Sequence, residues 1–295
     1  MKVGIFGNNY QLNHLDGIRR IFDHLAELGA DSWVENDFYL YLSNELDYHP
    51  IKTGIIRDSN FNLDMAISIG GDGTFLKTAA FIGEKNIPIM GINTGRLGFL
   101  ADVSTAEIED ALGEVFQNYY RIEDRSLLRL EIEEKADEPL FALNDIVVQR
   151  RDTSSMITIE TYINDEYLTT YSADGLIIAT PTGSTAYSMS VNGPILIPQA
   201  KSIVLSPVAP HSLSVRPLVI PDDCRLNLTV STRGRNFLVA LDGRSEVFLS
   251  GTSFQIKKAG FTMKVIKRYN HTFYKTLRDK LMWGTNSRAH EEEEN

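Results

Sequence analysis

Short apolar runs alternate with segments of helical period along the first part of the chain. The apolar runs predict buried strands, and they lie at residues 2–6, 65–69 and 87–92. Apolar positions that recur every three or four residues predict helices over 16–28, 74–82 and 105–117. Gly29 and Gly83 are expected to end the first two helices, and Ser104 with Glu107 forms a capping box for the third. This alternation favours an α/β domain with a parallel sheet.

The pattern changes near Leu127 to an alternation of apolar and polar residues. This period of two predicts strands, and it recurs over 128–133, 156–162, 225–230 and 254–257. Asn164-Asp165 and Asp242-Gly243 lie between such segments and suit two-residue hairpin turns. We therefore expect a mostly antiparallel β domain with a sandwich-like arrangement. Helical period returns over 271–283, and this helix is expected to pack back on the first domain.

These changes of pattern divide the chain into three predicted segments. Residues 1–122 form the α/β domain, residues 123–268 the β-rich domain, and residues 269–295 a helix followed by an acidic tail. The tail contains the glutamates at 291–294, which contribute to a net charge of −10 and are expected to be disordered. An acidic chain is a poor nonspecific binder of nucleic acid, since such binding depends on neutralising phosphates.

The composition is ordinary for a soluble globular protein, with 43% hydrophobic and 23% charged residues. Cys224 is the sole cysteine, so it cannot form an internal disulfide, which favours a reducing compartment. No apolar run approaches the ~20 residues of a membrane-spanning helix, and the first residues are too quickly polar for a signal peptide. A cytoplasmic protein without a membrane partner is therefore expected.

The most informative stretch is Gly70-Gly71-Asp72-Gly73-Thr74, which joins a predicted strand to a predicted helix. Glycines let main-chain N–H groups approach an oxyanion closely, and the helix dipole adds to the attraction. A carboxylate in such a site repels phosphate unless it holds Mg²⁺ or accepts the proton of an attacking hydroxyl. A second glycine-rich loop follows the next strand over 93–99, and we expect both loops to face one crevice.

Another dense segment begins at Asp174 and continues into a predicted buried strand over 176–179. It then contains Thr180-Pro181-Thr182-Gly183-Ser184-Thr185-Ala186-Tyr187. Short hydroxyls and exposed N–H groups can bond to ribose, phosphate or an adenine edge, and Tyr187 offers a ring for stacking. Asp174 can accept a hydrogen bond from a carboxamide or a hydroxyl.

Together these segments resemble the NAD kinase family, whose members phosphorylate the adenosine ribose 2′-OH of NAD to give NADP. The resemblance also rests on Asn93-Thr94-Gly95-Arg96-Leu97-Gly98-Phe99 and on Asn144-Asp145, while residues 206–212 and Asp242-Gly243 fit as well. It covers roughly residues 1–275. The glycine–aspartate turn alone also occurs in diacylglycerol kinases and phosphofructokinases, whereas the combination with residues 180–187 is specific.

The resemblance implies roles for individual residues. Asp72 would accept the proton of the ribose 2′-OH. Contacts to the dinucleotide would come from Gly73, Leu76, Phe99, Asn144, Asp145, Asp174, Thr185, Ala186, Tyr187, Ser190, Ala209 and Arg244. Contacts to the donor phosphate would come from Gly70, Gly71, Gly73 and Thr74.

The resemblance also implies substrates and partners. ATP or polyphosphate would be the phosphoryl donor, accompanied by Mg²⁺ or another divalent cation, and NAD the acceptor. No tightly bound cofactor and no metal held by protein side chains are expected. A homodimer or homotetramer would place the site near a subunit interface, with Asp174 and Ala209 reaching the nicotinamide end from a neighbouring subunit.

Other interpretations fit part of the pattern. One is another kinase with the same turn, acting on a lipid or a sugar, and the other is a non-catalytic NAD sensor. The sequence shows neither the basic amphipathic face of a lipid kinase nor an effector module for a sensor. The fingerprint Gly-x-Gly-x-x-Gly is absent after the first strand, which disfavours hydride transfer. Asp72 as a helix cap, with the glycines as turn formers, is the structural alternative.

Three positions depart from the family pattern. Asp145 stands where Glu is usual, Ser172 where Arg is frequent, and Arg244 where Gln is common. The shorter side chain of Asp145 can weaken a ribose contact. Arg244 is hypothesised to supply the positive charge that the serine at position 172 does not provide.

Arg244→Ala is expected to raise the Michaelis constant for NAD and to leave kcat similar, because it removes that positive charge from the binding site. Steady-state kinetics of NADP formation at saturating donor measures both constants. An unchanged Michaelis constant would reject the hypothesis.

Overall fold

The computed structural model describes residues 1–9, 15–95, 97–132, 140–151 and 156–284. The chain divides into two compact units, one of residues 1–123 with those from 264 onwards, and one of residues 124–263. Arg96 of the second glycine-rich loop and the predicted acidic tail lie outside the described residues. The domain boundaries drawn from the sequence remain a prediction. Among the helices described, none has the length and apolar character needed to cross a membrane.

The first unit begins with alternating strands and helices. In chain order these are β1 (Lys2–Gly7), α1 (Leu15–Glu27), β2 (Asp31–Glu35), α2 (Asn36–Asn44), β3 (Gly54–Ile56), β4 (Met65–Ile69), α3 (Asp72–Ile82), β5 (Ile89–Asn93), β6 (Val103–Ser104) and α4 (Ile108–Phe116). Strands β3, β2, β1, β4 and β5 lie side by side in this order, all parallel, and β6 pairs with β5. The predicted parallel α/β domain is confirmed.

Burial explains why the apolar pattern predicted β1, α1, β4, α3, β5 and α4, although it did not predict β2, α2, β3 and β6. Strands β4 and β5 are buried at every position, as expected of central strands in a parallel sheet with both faces covered. Helix α1 turns Ile18, Ile21 and Phe22 inward, where they join side chains of the strands in one core. The helical period of α1 therefore records the face that packs on the sheet.

The second unit is made mainly of strands. They are β7 (Arg121–Ile132), β8 (Leu140–Ala142), β9 (Asp145–Arg150), β10 (Ile157–Ile163), β11 (Glu166–Ala173), β12 (Gly175–Ala179), the short helix α5 (Tyr187–Ser190), β13 (Ser202–Val208), β14 (Leu218–Pro221), β15 (Leu226–Thr232), β16 (Asn236–Leu241), β17 (Arg244–Leu249) and β18 (Ser253–Lys267). One antiparallel sheet has the order β14-β13-β12-β9-β16-β17. In a second, β11, β10, β15 and β18 are neighbours and pair antiparallel.

Side chains from both sheets of the second unit form one hydrophobic cluster. It contains Leu176 and Ile178 from β12 together with Ile157 and Ile159 from β10. Alternate residues of each strand therefore point into a shared core, which confirms the sandwich-like arrangement. Asn164-Asp165 connects β10 to β11, and Asp242-Gly243 connects β16 to β17. All four turn residues have positive φ, as the predicted hairpins require.

The chain returns to the first unit at its C-terminal end. Val265 in the last part of β18 pairs parallel with Ile89 of β5. Helix α6 (Phe273–Leu281) follows, and Thr272 caps its start by accepting a hydrogen bond from the N–H of Lys275. Phe273 of this helix contacts Phe99 in the second glycine-rich loop, with ring centroids 6.0 Å apart. The expected packing of the C-terminal helix on the first domain is confirmed.

All four predicted helices begin at positions other than those predicted, and the starts of α3 and α4 show local causes. Helix α3 begins at Asp72 instead of Thr74, because Gly71 adopts the extended conformation of an N-cap. Residues 105–107 form a 3₁₀ turn, and α4 begins only at Ile108, although the predicted capping box of Ser104 and Glu107 is present. The first change matters for the site, since it places the Asp72 carboxylate in the first helical turn.

Gly91→Ala is expected to destabilise the protein by about 1–3 kcal/mol, the typical cost of overpacking a core. A Cβ at this position in β5 would lie 2.6 Å from the Cα of Ala101, which is main chain and cannot move aside as a side-chain tip would. Urea unfolding measures the change. Gly113→Ala in α4 is the control, since a Cβ there meets nothing within 4 Å, and equal stabilities of the two variants would contradict the close contact.

Candidate functional site

The turn between β4 and α3 presents two open glycines at the start of a helix. Gly71 and Gly73 are exposed, and an added Cβ at either would meet no atom within 4 Å. The first N–H groups of a helix have no partner within it, and they carry the positive end of its dipole. The predicted strand-to-helix turn is therefore present, and its binding of an anion stays a prediction.

The four predicted phosphate contacts are not equivalent. The N–H of Gly70 donates to the carbonyl of Ile92 at 2.9 Å, and that of Thr74 donates to the carbonyl of Gly71 at 3.0 Å. The hydroxyl of Thr74 is also engaged, accepting from Nδ2 of Asn8 at 2.8 Å. Gly71 and Gly73 are thus the members of the predicted set whose N–H groups stand at the open helix start.

The Asp72 carboxylate is held by the main chain at the end of the second glycine-rich loop and by the two residues that follow it. Its Oδ1 accepts the N–H groups of Leu100 and Ala101, each at 3.0 Å, and its Oδ2 accepts that of Phe99 at 2.9 Å. Gly98 lies so close that a Cβ there would overlap Oδ1 of Asp72. The two glycine-rich loops therefore meet, and Asp72 is the side chain that joins them.

A cation completes the surroundings of this carboxylate. Nζ of Lys280, on α6, lies 3.3 Å from Oδ2 of Asp72 and 4.8 Å from the centre of the Phe99 ring. Burial disfavours the ionised form of Asp72, but the N–H groups of Ala101, Phe99 and Leu100 and the ammonium of Lys280 outweigh it, so its pKa lies below the ordinary value. Asp72 is consequently an anion at neutral pH.

Lys267 holds the same loop from its carbonyl side. Its Nζ donates to the carbonyls of Phe99 and Leu100 at 3.3 and 3.4 Å, and it pairs with Oδ2 of Asp102 at 2.7 Å. Both members of this pair are buried. A buried pair with several hydrogen bonds constrains geometry more than it adds stability. The loop is thus fixed through its N–H groups by Asp72 and through its carbonyls by Lys267.

The second unit contains a comparable arrangement around Asn144-Asp145. The Asp242 carboxylate accepts the N–H groups of Leu143, Asn144 and Asp145 at 2.8, 2.8 and 3.2 Å. The N–H of Thr180 donates to the carbonyl of Asn144 at 2.9 Å. Asp242 therefore forms part of the hairpin turn and also holds the main chain of residues 143–145.

Asn144 has a side-chain oxygen that no described group uses. Its Oδ1 is buried and accepts no hydrogen bond among the residues that the structure describes. Gly183 lies against the carbonyl of Asn144 so closely that a Cβ there would overlap it. A buried acceptor without a donor is costly, so a ligand that supplies one is favoured.

Asp145 and Asp242 are two carboxyls in a desolvated setting. Burial, together with the nearby charge of Asp242, raises the pKa of Asp145 to about 7. Burial also raises the pKa of Asp242, although the three N–H groups that it accepts oppose the shift. Because these donors favour its charge, Asp242 is the member of the pair that carries the negative charge, and Asp145 holds a proton more readily.

Comparison with known proteins decides the family. The model of the ATP-NAD kinase N-terminal domain matches residues 3–120, and that of the ATP-NAD kinase C-terminal domain matches residues 143–268. The NAD kinase of Bacteroides fragilis is 52% identical over 290 residues, covering 98% of this chain and 100% of that protein. The NAD kinase of Porphyromonas gingivalis is 44% identical over 283 residues, covering 96% and 98%. This chain belongs to the NAD kinase family.

Solved structures show the same fold. A yeast NADH kinase complexed with NADH has a TM-score of 0.87 at 23% identity, covering 97% of this chain and 89% of that one. An NAD kinase from Archaeoglobus fulgidus in complex with ATP has a TM-score of 0.75 at 24% identity, covering 96% and 99%. The family, the fold class and the enzyme class that the sequence predicted are confirmed.

The remaining residues that the NAD kinase resemblance assigned to the dinucleotide lie in varied settings. Leu76 is half-buried on α3, and Thr185 and Ala186 are half-buried between β12 and α5. Tyr187 is 42% exposed, and its carbonyl accepts the hydroxyl of Ser190 at 2.8 Å. An exposed ring at this place is consistent with the predicted stacking role, which stays a prediction.

Three further predicted contacts have partners or constraints within the second unit. The Asp174 carboxylate pairs with Nη2 of Arg150 at 2.9 Å, and Ala209 has a φ of 44°. Arg244 is the exposed first residue of β17, and its Nη2 donates to the carbonyl of Phe141 at 3.3 Å. The contribution of the Arg244 charge to substrate binding stays a prediction.

Sequence reasoning missed Lys280, Lys267 and the N–H groups of residues 99–101. The main-chain donors carry no side-chain signature, and Lys280 lies 208 positions from Asp72. The predicted C-terminal helix gave a weak indication of Lys280. Phe273 and Lys280 are seven residues apart, so they lie on the same face of the helix. Across the described ranges, no group of three or more His, Cys, Asp or Glu side chains could hold a metal ion.

The stability of Asp145→Asn relative to the wild type is expected to increase with pH. Because the pKa of Asp145 is raised to about 7 in the folded protein, its carboxyl favours folding below about pH 4 and loses that contribution as the pH rises to about 7. The neutral amide has no such loss. Urea unfolding at pH 5 and pH 8 measures the difference.

Asp165→Asn, in the exposed hairpin turn, controls for the removal of one negative charge. If Asp145→Asn gives the same stability difference at both pH values, the raised pKa is wrong.

Proposed function

We propose that this chain transfers the terminal phosphoryl group of ATP, or of another donor such as polyphosphate, to the 2′-OH of the adenosine ribose of NAD, giving NADP. The observation that carries the proposal is the ionised Asp72 carboxylate beside the open helix start at Gly71 and Gly73. Membership of the NAD kinase family supports the same reaction.

The donor phosphate is assigned to the start of α3. The N–H groups of Gly71 and Gly73 and the helix dipole attract its negative oxygens, and neither glycine has a side chain to obstruct them. A divalent cation such as Mg²⁺, bound to the donor, would neutralise part of the phosphate charge. The protein contributes position and main-chain dipoles.

Asp72 orients the acceptor hydroxyl and takes its proton. The 2′-oxygen forms a bond to the terminal phosphorus while the bond from that phosphorus to its bridging oxygen breaks, and ADP leaves when ATP is the donor. A carboxylate with a low pKa is a weak base, so the proton moves late, once the 2′-oxygen has begun to bond to phosphorus. The three main-chain N–H groups keep the carboxylate in one place for this step.

The adenosine part of NAD is assigned to the surroundings of Asn144 and Asp145. The buried Oδ1 of Asn144 accepts a hydrogen bond from a ribose hydroxyl or an adenine amino group, which removes the cost of an unused buried acceptor. The segment with Thr185, Ala186 and Tyr187 supplies apolar and aromatic surface for the base.

Several finer assignments belong to the same proposal. Asp174 and Ala209 contact the nicotinamide end, and the chain acts as a homodimer or homotetramer in the cytoplasm. The competing functions, a lipid or sugar kinase and an NAD sensor, predict no NADP when the protein is mixed with NAD, Mg²⁺ and a donor.

Asp72→Asn is expected to fold, to bind NAD and to lose about 10²–10⁴-fold in kcat, the usual contribution of a general base. NADP formed from NAD, Mg²⁺ and either ATP or polyphosphate is measured with a coupled NADP-dependent dehydrogenase. Binding of NAD is measured separately by calorimetry.

Asp58→Asn, an exposed carboxyl in the same unit, is the matched control and should keep the wild-type rate. Near-normal turnover of Asp72→Asn would exclude Asp72 as the proton acceptor. Absence of NADP with the wild type and both donors would overturn the proposed activity itself.

A further inference from the structure

Four donors occupy the lone-pair positions of the Asp72 carboxylate. An ionised carboxylate offers about four lone-pair sites on its two oxygens. In the structure Oδ1 accepts Leu100 and Ala101, and Oδ2 accepts Phe99 and the ammonium of Lys280. A substrate hydroxyl can bond to this carboxylate only if one of the four donors leaves.

Three of the four donors are held in place. They are main-chain N–H groups of a loop whose carbonyls at Phe99 and Leu100 are held by the buried Lys267. Close packing of Gly98 on Asp72 restricts the loop further. Moving any of these N–H groups would require the whole loop to shift.

The fourth donor is able to leave. Lys280 has a flexible side chain that is 33% exposed, and its contact with Oδ2 is the longest of the four at 3.3 Å. The ion-pair partner of its ammonium is the Asp72 carboxylate. Lys280 is therefore the donor that a substrate hydroxyl can replace.

The ammonium also lies where a second anion is expected. Asp72 is the first residue of α3, so a cation on its carboxylate is close to the helix start at which the donor phosphate is assigned. A phosphate has more negative charge than a carboxylate and offers several oxygens to an ammonium. Transfer of the ammonium from carboxylate to phosphate keeps it paired throughout.

We propose that Lys280 is a positioning residue that occupies Asp72 in the free protein and moves to the donor phosphate when the donor binds, leaving Oδ2 open to the 2′-OH. This inference rests on the proposed function. It makes binding of the donor a condition for an effective contact between Asp72 and the acceptor hydroxyl.

Helix α6 provides the anchor for this movement. Phe273 packs on Phe99, and Lys280 lies two turns further along the same face, with its ammonium over the ring of Phe99. A cation over an aromatic ring keeps a favourable contact while its other partner changes. The helix can therefore stay docked while only the end of the lysine side chain moves.

The test compares Lys280→Met, which keeps most of the side-chain length and removes the charge, with Lys280→Arg, which keeps the charge. Lys280→Met is expected to weaken binding of a non-hydrolysable ATP analogue with Mg²⁺ about tenfold or more, the effect of removing one charge-assisted hydrogen bond. Affinity for NAD should change less than about threefold. Lys280→Arg should restore most of the affinity for the analogue.

The pH profile separates this role from a structural one. Loss of the ammonium raises the pKa of Asp72, so the acidic limb of kcat/KM should move to higher pH in Lys280→Met. Lys275→Met, an exposed lysine on the same helix, is the matched control and should change neither quantity. Urea unfolding of all variants shows whether α6 stays docked.

Unchanged affinity for the analogue in Lys280→Met would overturn the proposal, and so would equal losses in the Met and Arg variants. Equal losses of NAD and analogue binding with a lower unfolding midpoint would assign Lys280 a structural role, which also contradicts it. Analogue binding requires no turnover. Failure of this inference is therefore distinguishable from failure of the proposed function, which is measured as NADP formed by the wild type.

Discussion

The hydrogen bonds between the Asp72 carboxylate and the N–H groups of residues 99–101 are the interaction on which the first unit's site depends. They connect the loop after β4 to the loop after β5, two neighbouring strands whose carboxyl ends share one edge of the sheet. One side chain thereby sets the position of both loops. It also stays ionised, since every donor around it favours its charge.

The proposed role of Asp72 as proton acceptor competes with its role in holding the loop. A structural carboxylate is most effective when all its lone pairs are used, whereas a proton acceptor needs one of them free. The four donors of Asp72 satisfy the first requirement completely. In the proposed exchange, departure of the Lys280 ammonium meets the second requirement without dismantling the loop.

Much of the fold and part of the site could be predicted from the sequence. The buried strand ending at Ile69, the hairpin at Asn164-Asp165 and the change from helical to alternating period each follow from local physical rules. The glycines around Asp72 indicated an anion site for the same reason. The engagement of the Gly70 N–H with Ile92 could not be predicted, because it depends on how two strands align.

The hydrogen-bond partners of Asp72 could not be predicted from the sequence, for a different reason. Main-chain N–H groups are present at every non-proline residue, so no residue type marks the three that it uses. In the second unit, nothing in the sequence indicates that Asp242 accepts the N–H groups of residues 143–145. An aspartate before glycine is already explained by the hairpin turn.

That double use of Asp242 limits how this region can be engineered. Two-residue hairpins are usually exchangeable modules, and Asn-Gly would serve the backbone of this one as well as Asp-Gly. Replacing the turn by Asn-Gly would keep the β16–β17 connection. It would also replace the Asp242 carboxylate, which accepts the N–H groups of residues 143–145, by an amide. Loop libraries built on this scaffold should therefore keep Asp242 and vary other turns.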